Sequence, residues 1–302
     1  MPPVSVVPTP GDPLAAEAAK RALEKQRALK ALKAWAKKGI TLTRHVFFVP
    51  GWAGEEGCCW TAAYPHVLDG HQPIKYWVER IVRNPQLVRF VSYVQFTEQE
   101  SAACPTFLQF ADLLKTKIRY EAPADAPLDL VGHSMGGLDI IGALVNGGDY
   151  LRHPVVNAVT VGSPLRGVPY GNLVYRIREL LPTVPWLPHH LEQLRNMDHG
   201  AGAIRLINRL DMRELLLARV ARCYSLYGTQ DFVVEGNAHF RTEGLAGASR
   251  KKLGELAIAG AAHTGAIGIT QDPRTAAAIF TILAGGTVGE PPGNQGILVG
   301  SP

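Results

Sequence analysis

Gly132-His133-Ser134-Met135-Gly136 sets one serine between two glycines, directly after the apolar run Leu128-Asp129-Leu130-Val131. At such a strand-to-helix junction the serine hydroxyl is held up at the end of the strand. The turn strains the serine backbone and needs small neighbours, which Gly132, Gly136 and Gly137 supply. A hydroxyl attacks a carbonyl poorly unless a base removes its proton, and the base needs an acid to hold its tautomer. Behind an elbow of this kind the partners follow in the order serine, acid, histidine. Tyr224-Ser225-Leu226-Tyr227-Gly228-Thr229-Gln230-Asp231 is a β-rich run ending in a turn that carries an aspartate. Leu256-Ala257-Ile258-Ala259-Gly260-Ala261-Ala262 ends at His263-Thr264-Gly265. Chain order and strand-end placement select Ser134 as nucleophile, Asp231 as acid and His263 as general base. Among the ten histidines, His239 is the rival base, since it too follows Asp231. Asp129, inside the strand before the serine, should point away from the site.

Acyl chemistry at Ser134 also requires donors for a negative oxygen. One is normally the amide after the nucleophile, and the other comes from the loop after an earlier central strand. Met135 supplies the first. The run His45-Val46-Phe47-Phe48-Val49, broken at Pro50-Gly51-Trp52-Ala53-Gly54, supplies the second through the Trp52 amide, with Gly51 allowing the close turn. The Trp52 indole then lines the acyl pocket or packs in the core.

The elements that must position these residues alternate along the chain. Strand-like runs at 46–49, 128–131, 155–161 and 224–227 are separated by helical segments, among them one opening at Gly137 and one over 273–283. That alternation predicts an α/β fold with a mostly parallel central sheet, helices on both faces, and the site at the carboxyl ends of the strands. A chain of 302 residues, 46% of them hydrophobic, can bury a core of that size. Residues 1–39 read as a proline-rich leader and a basic helical arm, residues 40–285 as the catalytic unit and residues 286–302 as a Gly/Pro-rich tail.

These motifs resemble the α/β-hydrolase superfamily, and within it the lipase and esterase branch. The resemblance rests on Pro50-Gly51-Trp52, the Gly132-to-Gly136 elbow, the run Ala158-Val159-Thr160-Val161-Gly162-Ser163-Pro164-Leu165-Arg166-Gly167, and the Asp231 and His263 segments. Bacterial lipases usually carry His-Gly at the first loop and Gly-Thr-Pro-His at the third. This chain has Pro50-Gly51 and Gly162-Ser163-Pro164-Leu165 there. The resemblance implies an α/β-hydrolase fold, a cap formed by the insertion at about 167–222, and hydrolysis of a carboxylic ester or lipid without a cofactor. Within the insertion, Trp186 and Leu187 in a proline-rich bend line an acyl-binding entrance or pack the insertion onto the core. Helical character runs from Ala203 to Leu217. His189, His190, Asp198 and His199 offer no metal-ligand spacing, so no metal is expected. Acyl transfer on the same residues, or a catalytically silent binding protein of the same fold, are the other readings.

Charge is concentrated at one end. The net charge is +5, yet residues 14–38 alone hold eight basic and two acidic residues. The rest of the chain is therefore close to neutral. Leu14, Ala18, Ala22, Leu29, Leu32 and Ala36 fall near one side of the predicted helix, interrupted by Lys25. Such a helix either docks on its own domain or contacts an anionic membrane surface. Nucleic-acid binding is disfavoured because Trp35 is the only aromatic residue among these charges. No secretory h-region and no bilayer-spanning run is evident. The cysteines Cys58, Cys59, Cys104 and Cys223 include an adjacent pair that cannot readily bond to each other. The chain reads as cytoplasmic or peripheral to a membrane.

Overall fold

The computed structural model describes residues 13–52, 59–61, 70–92, 104, 106–146, 151–180, 188–234, 236–264 and 267–289. Among these residues six strands form a parallel sheet: β1 (His45–Val49), β2 (Val88–Phe90), β3 (Leu128–His133), β4 (Val155–Val161), β5 (Val220–Gly228) and β6 (Leu253–Ile258), in spatial order β2-β1-β3-β4-β5-β6. Strands buried on both faces need apolar side chains at successive positions, and β1 and β3 have them. Phe47, Val49, Leu128 and Leu130 enter one core together with α3 (Phe107–Glu121) and α4 (Met135–Val145). Val46, Phe48, Val131, Val159, Val161 and Leu226 enter a second core with α1 (Pro13–Lys38), α2 (Ile74–Ile81) and α10 (Pro273–Leu283). Each such side chain removed from water contributes about 1.5–3 kcal/mol, so the two cores hold helices against both faces.

The register brings the strand ends into line. Val49 pairs with Gly132, His133 with Val161, Val161 with Leu226, and Gly228 with Ile258. The loops after β1, β3, β4, β5 and β6 therefore leave one edge of the sheet side by side. The chain runs from β1 outward to β2 and then returns to β3 on the other side of β1. This reversal opens a crevice between the carboxyl ends of β1 and β3, where open α/β sheets bind ligands.

The sequence pattern and the structure differ at several elements. The helix after the elbow begins at Met135, with Ser134 as its N-cap, two residues before the expected start. The small apolar run at 256–262 contributes its first residues to β6 and then turns. The helix expected from Ala203 to Leu217 is two helices, α7 (Gly202–Ile207) and α8 (Leu210–Arg219). Arg209 is extended between them, and the Asn208 amide donates to the carbonyls of Leu165 and Ile204, taking the chain out of helix. α5 (Tyr170–Leu180) and α6 (Pro188–Arg195) complete the insertion between β4 and β5, and the short α9 (Gly247–Arg250) precedes β6. Trp186 and Leu187 lie outside the described residues.

α1 docks on its own body along the second half of the expected stripe, where Leu29, Leu32 and Ala36 pack against the core, but not along the first. Ala28, Leu32 and Trp35 are buried, whereas Leu14, Ala18 and Ala22 are exposed. The Trp35 ring meets Phe280 of α10 at 6.4 Å between centroids. Nearer its N-terminus the helix turns charge inward: Glu24 pairs with Arg274 at 3.4 Å, and the Lys25 ammonium donates to His71 Nε2 at 3.0 Å. Arg274 is itself held by two oxygens of the buried Asp272, at 3.0 and 2.7 Å. A stripe read from hydrophobicity alone cannot register these pairs, which rotate the helix until Lys25 faces the body. Among the described residues no helix is long and apolar enough to cross a membrane.

Candidate functional site

Ser134 is the only non-glycine residue with positive φ among those described, at φ 53° and ψ −125°. Close packing explains the glycines around it. A Cβ on Gly132 would sit 2.5 Å from the Gly136 carbonyl carbon, and one on Gly136 would sit 2.2 Å from the Pro50 carbonyl oxygen. Backbone cannot yield at those distances, so the elbow and the loop after β1 approach as closely as glycine permits. On the far side, Gly51 approaches Ser134 itself, where a Cβ would lie 2.9 Å from the Ser134 Cβ.

The structure brings Ser134, Asp231 and His263 together. Asp231 Oδ1 accepts from the amides of Val233 and Val234, both at 3.1 Å, which fixes the carboxylate in the turn after β5. Its Oδ2 lies 2.9 Å from His263 Nδ1. An ionised carboxylate only accepts, so Nδ1 carries the proton and Nε2 presents a lone pair. That lone pair lies 2.9 Å from Ser134 Oγ. A hydroxyl in this position can pass its proton to the imidazole, and the carboxylate stabilises the resulting cation. Asp231 and His263 are 7% and 8% exposed, so little water competes for these bonds.

His133 is drawn into the same group, although the sequence reading gave it no role. Its Nε2 donates to the His263 carbonyl oxygen at 3.2 Å, and the two rings lie 4.8 Å apart. Burial first, and the neighbouring His263 ring second, depress its pKa to about 3, so His133 is neutral at pH 7. Trp60 meets its other side edge-on at 6.1 Å. The rival base His239, and the acids Asp129 and Asp198, are engaged elsewhere. His239 lies 3.1 Å from Glu255. Asp129, the second residue of β3, accepts from Arg44 at 2.7 Å and from the Asn157 side chain at 2.7 Å, at the amino end of the strand. Asp198 accepts from the amides of Tyr170 and Gly200. Among the described residues no group of three or more His, Cys, Asp or Glu side chains could hold a metal ion.

Met135, 1% exposed, is the first residue of α4, so its N–H has no intrahelical acceptor. Trp52, 7% exposed, follows Gly51 across the crevice. Its indole N–H donates to Gln193 Oε1 at 2.9 Å, and Gln193 Nε2 donates to the Cys104 carbonyl at 3.1 Å. Gln193, like His133, went unread in the sequence: a glutamine in a helix of the insertion carries no signal of a partner so far away along the chain.

No protein-family model matches the sequence, and comparison with curated proteins finds no match. Solved structures do match. Phospholipase PlaB from Legionella pneumophila is similar with a TM-score of 0.50 and 14% identity, over 81% of this chain and 60% of that one. The NocB thioesterase domain aligns with a TM-score of 0.43 and 18% identity, over 80% of this chain and 94% of that one. Mouse alpha/beta hydrolase domain-containing protein 10 aligns with a TM-score of 0.42 and 14% identity, over 79% of this chain and 87% of that one. The parallel six-strand sheet, with the likeness to the phospholipase, gives the chain the α/β-hydrolase fold.

Proposed function

We propose that this chain, an α/β-hydrolase by fold, is a serine hydrolase of carboxylic esters, with Ser134 as nucleophile, His263 as general base and Asp231 as the acid that orients it. The observation that carries this reading is the unbroken hydrogen-bonded chain from Asp231 through His263 to Ser134, with both links at 2.9 Å. Ser134 Oγ attacks the ester carbonyl carbon as its proton passes to His263 Nε2. The amides of Met135 and Trp52 hold the oxygen that becomes negative. The tetrahedral intermediate collapses, the C–O bond to the alcohol breaks, and His263 returns its proton to the departing oxygen. Water then attacks the acyl-Ser134 ester, giving its proton to His263, and the carboxylic acid leaves with Ser134 restored. No cofactor is needed for either half of this cycle.

The substrate in this reading is a small ester or a lipid, and α5 and α6 form a cap beside the mouth, whereas α8 packs on the face of the sheet against α4 and β5. α1 supplies a contact for an anionic membrane surface: Lys20, Arg27, Lys30, Lys33, Lys37 and Lys38 are all exposed, while Glu24 is turned onto Arg274.

The test is hydrolysis of chromogenic esters of increasing acyl length by the wild-type protein and Ser134→Ala, with fluorophosphonate labelling in parallel. Activity and labelling that vanish in the variant support the reading, and the preferred chain length separates a lipase from a short-chain esterase. Ester cleavage undiminished in Ser134→Ala, or a wild-type protein that is neither labelled nor active, overturns it. Adding a small alcohol as a second acceptor separates hydrolysis from acyl transfer.

A further inference from the structure

We infer that Gln193, on α6 of the insertion, is a positioning residue for the oxyanion loop, acting through the Trp52 indole. This rests on the reading above, in which the Trp52 amide holds the negative oxygen. Three observations carry it. First, Gln193 is 3% exposed and uses both ends of its amide, accepting from Trp52 Nε1 at 2.9 Å and donating to the Cys104 carbonyl at 3.1 Å. A buried amide satisfied at both ends has one orientation, because turning it would cost both bonds. Second, α6 presents His190, Gln193 and Leu194 at helical i, i+3 and i+4 spacing. His190 stands edge-on to the Trp52 ring at 5.4 Å, and Leu194 is wholly buried. The indole is thus fixed by a ring contact as well as by a hydrogen bond. Third, the peptide that carries Trp52 runs close beside the nucleophile: a Cβ on Gly51, the residue before it, would lie 2.9 Å from the Ser134 Cβ and 3.3 Å from the His133 carbonyl oxygen. A displacement of the Trp52 peptide would therefore be felt at Ser134.

The insertion is on this account part of the catalytic framework, not only a roof over it. α6 lies 141 residues along the chain from Trp52.

The experiment is a double-mutant cycle on the full chain with Trp52→Phe, Gln193→Leu and the pair, read by kcat, KM, the rate of Ser134 labelling by a fluorophosphonate, and melting temperature. Trp52→Phe keeps the backbone amide and a six-membered aromatic ring but deletes the donor together with the pyrrole half of the indole, so the cycle with Gln193→Leu, which leaves the indole whole, isolates the shared link. Each single variant should lower kcat and the labelling rate by about tenfold to a hundredfold, the scale of a small misplacement at a reacting centre, with KM changed no more than about twofold. The pair should be no slower than the worse single, because both substitutions cut the same link. If the variants melt lower but keep wild-type kcat and labelling rate, Gln193 only fastens the insertion and the inference is wrong. Should Gln193→Leu not fold, Trp52→Phe decides alone by the same readouts. A wild-type protein that resists the fluorophosphonate would instead overturn the serine hydrolase reading. Normal wild-type labelling with unaffected variants removes this inference only.

Discussion

His133 Nε2 donates to the carbonyl oxygen of His263, so the residue before the elbow serine braces the backbone of the residue that faces its hydroxyl. The bond requires a proton on Nε2, and burial, by lowering the pKa to about 3, keeps the ring neutral with Nδ1 unprotonated. The consequence is an acid sensitivity that belongs to folding, separate from any titration of the reaction itself.

In the unfolded chain the His133 ring takes up a proton near pH 6.5, and in the folded protein only near pH 3. Its contribution to stability is therefore complete above pH 6.5 and is lost as the pH falls from there toward 3. Between pH 6.5 and 5 the loss from this one ring amounts to about 2 kcal/mol. His45 and His71, also lowered chiefly by burial, act in the same direction. Urea unfolding at pH 7 and pH 5 should show wild-type stability falling more steeply than that of His133→Gln, whose amide keeps a donor at similar reach. Parallel pH dependences would mean that His133 does not carry this term.

Gly51→Ala probes the crevice directly. The added carbon would lie 2.9 Å from the Ser134 Cβ and 3.3 Å from the His133 carbonyl oxygen, so the loop after β1 must retreat from the elbow. Overpacking of this kind costs about 1–3 kcal/mol, and displacing the loop should slow ester hydrolysis by about tenfold to a hundredfold. Melting curves and kcat/KM measured together would separate the two effects. Wild-type kcat/KM in a folded variant would show that the loop's position is irrelevant to the chemistry.

The amino end of the sheet holds an ion pair that no site motif advertises. Asp129, 1% exposed, is kept by Arg44 at 2.7 Å and by Asn157, while its burial pushes the carboxyl pKa upward. Arg44 also donates to the Leu283 carbonyl at 3.1 Å, tying the C-terminal end of α10 to β1. Arg44→Met should destabilise the fold by about 3–5 kcal/mol, because a buried carboxylate is left without its cation. Pairing it with Asp129→Asn should recover much of that loss, since the stranded charge is gone. Denaturant unfolding of both variants checks this, and a double variant as unstable as Arg44→Met would argue against the charge as the cause.

What could be read in the sequence was mostly local. The elbow shows itself because glycine spacing and the strand before it lie within ten residues, and the helix from Pro273 to Leu283 because Asp272 and Pro273 mark its start. β2 is only Val-Arg-Phe, too short to show a period, and it exists because β1 offers an open edge. The rotation of α1 is set by Arg274 and Asp272, some 250 residues away, which a helical wheel cannot contain. Gln193 was invisible for the same reason. Its partner is an indole on another loop, and nothing adjacent to it in sequence distinguishes it from a surface glutamine.

That rotation of α1 has an outcome of its own. With Glu24 turned inward, the solvent side of the helix carries Lys20, Arg27, Lys30, Lys33, Lys37 and Lys38, with the 47% exposed Leu23 one turn from Arg27 and two from Lys30. Each such cation near an anionic bilayer contributes about 1 kcal/mol, and the attraction fades within a Debye length of about 10 Å at 0.1 M salt. The protein should therefore sediment with vesicles of mixed anionic and zwitterionic lipid at low salt, release as salt is raised, and ignore purely zwitterionic vesicles. Lys30→Glu, Lys33→Glu and Lys37→Glu together should abolish sedimentation while leaving hydrolysis of a soluble short-chain ester unchanged, because none of the three touches the crevice. Equal sedimentation with both vesicle types would point to apolar insertion instead of charge, and none with either would leave the basic face as a solvated surface of the docked helix.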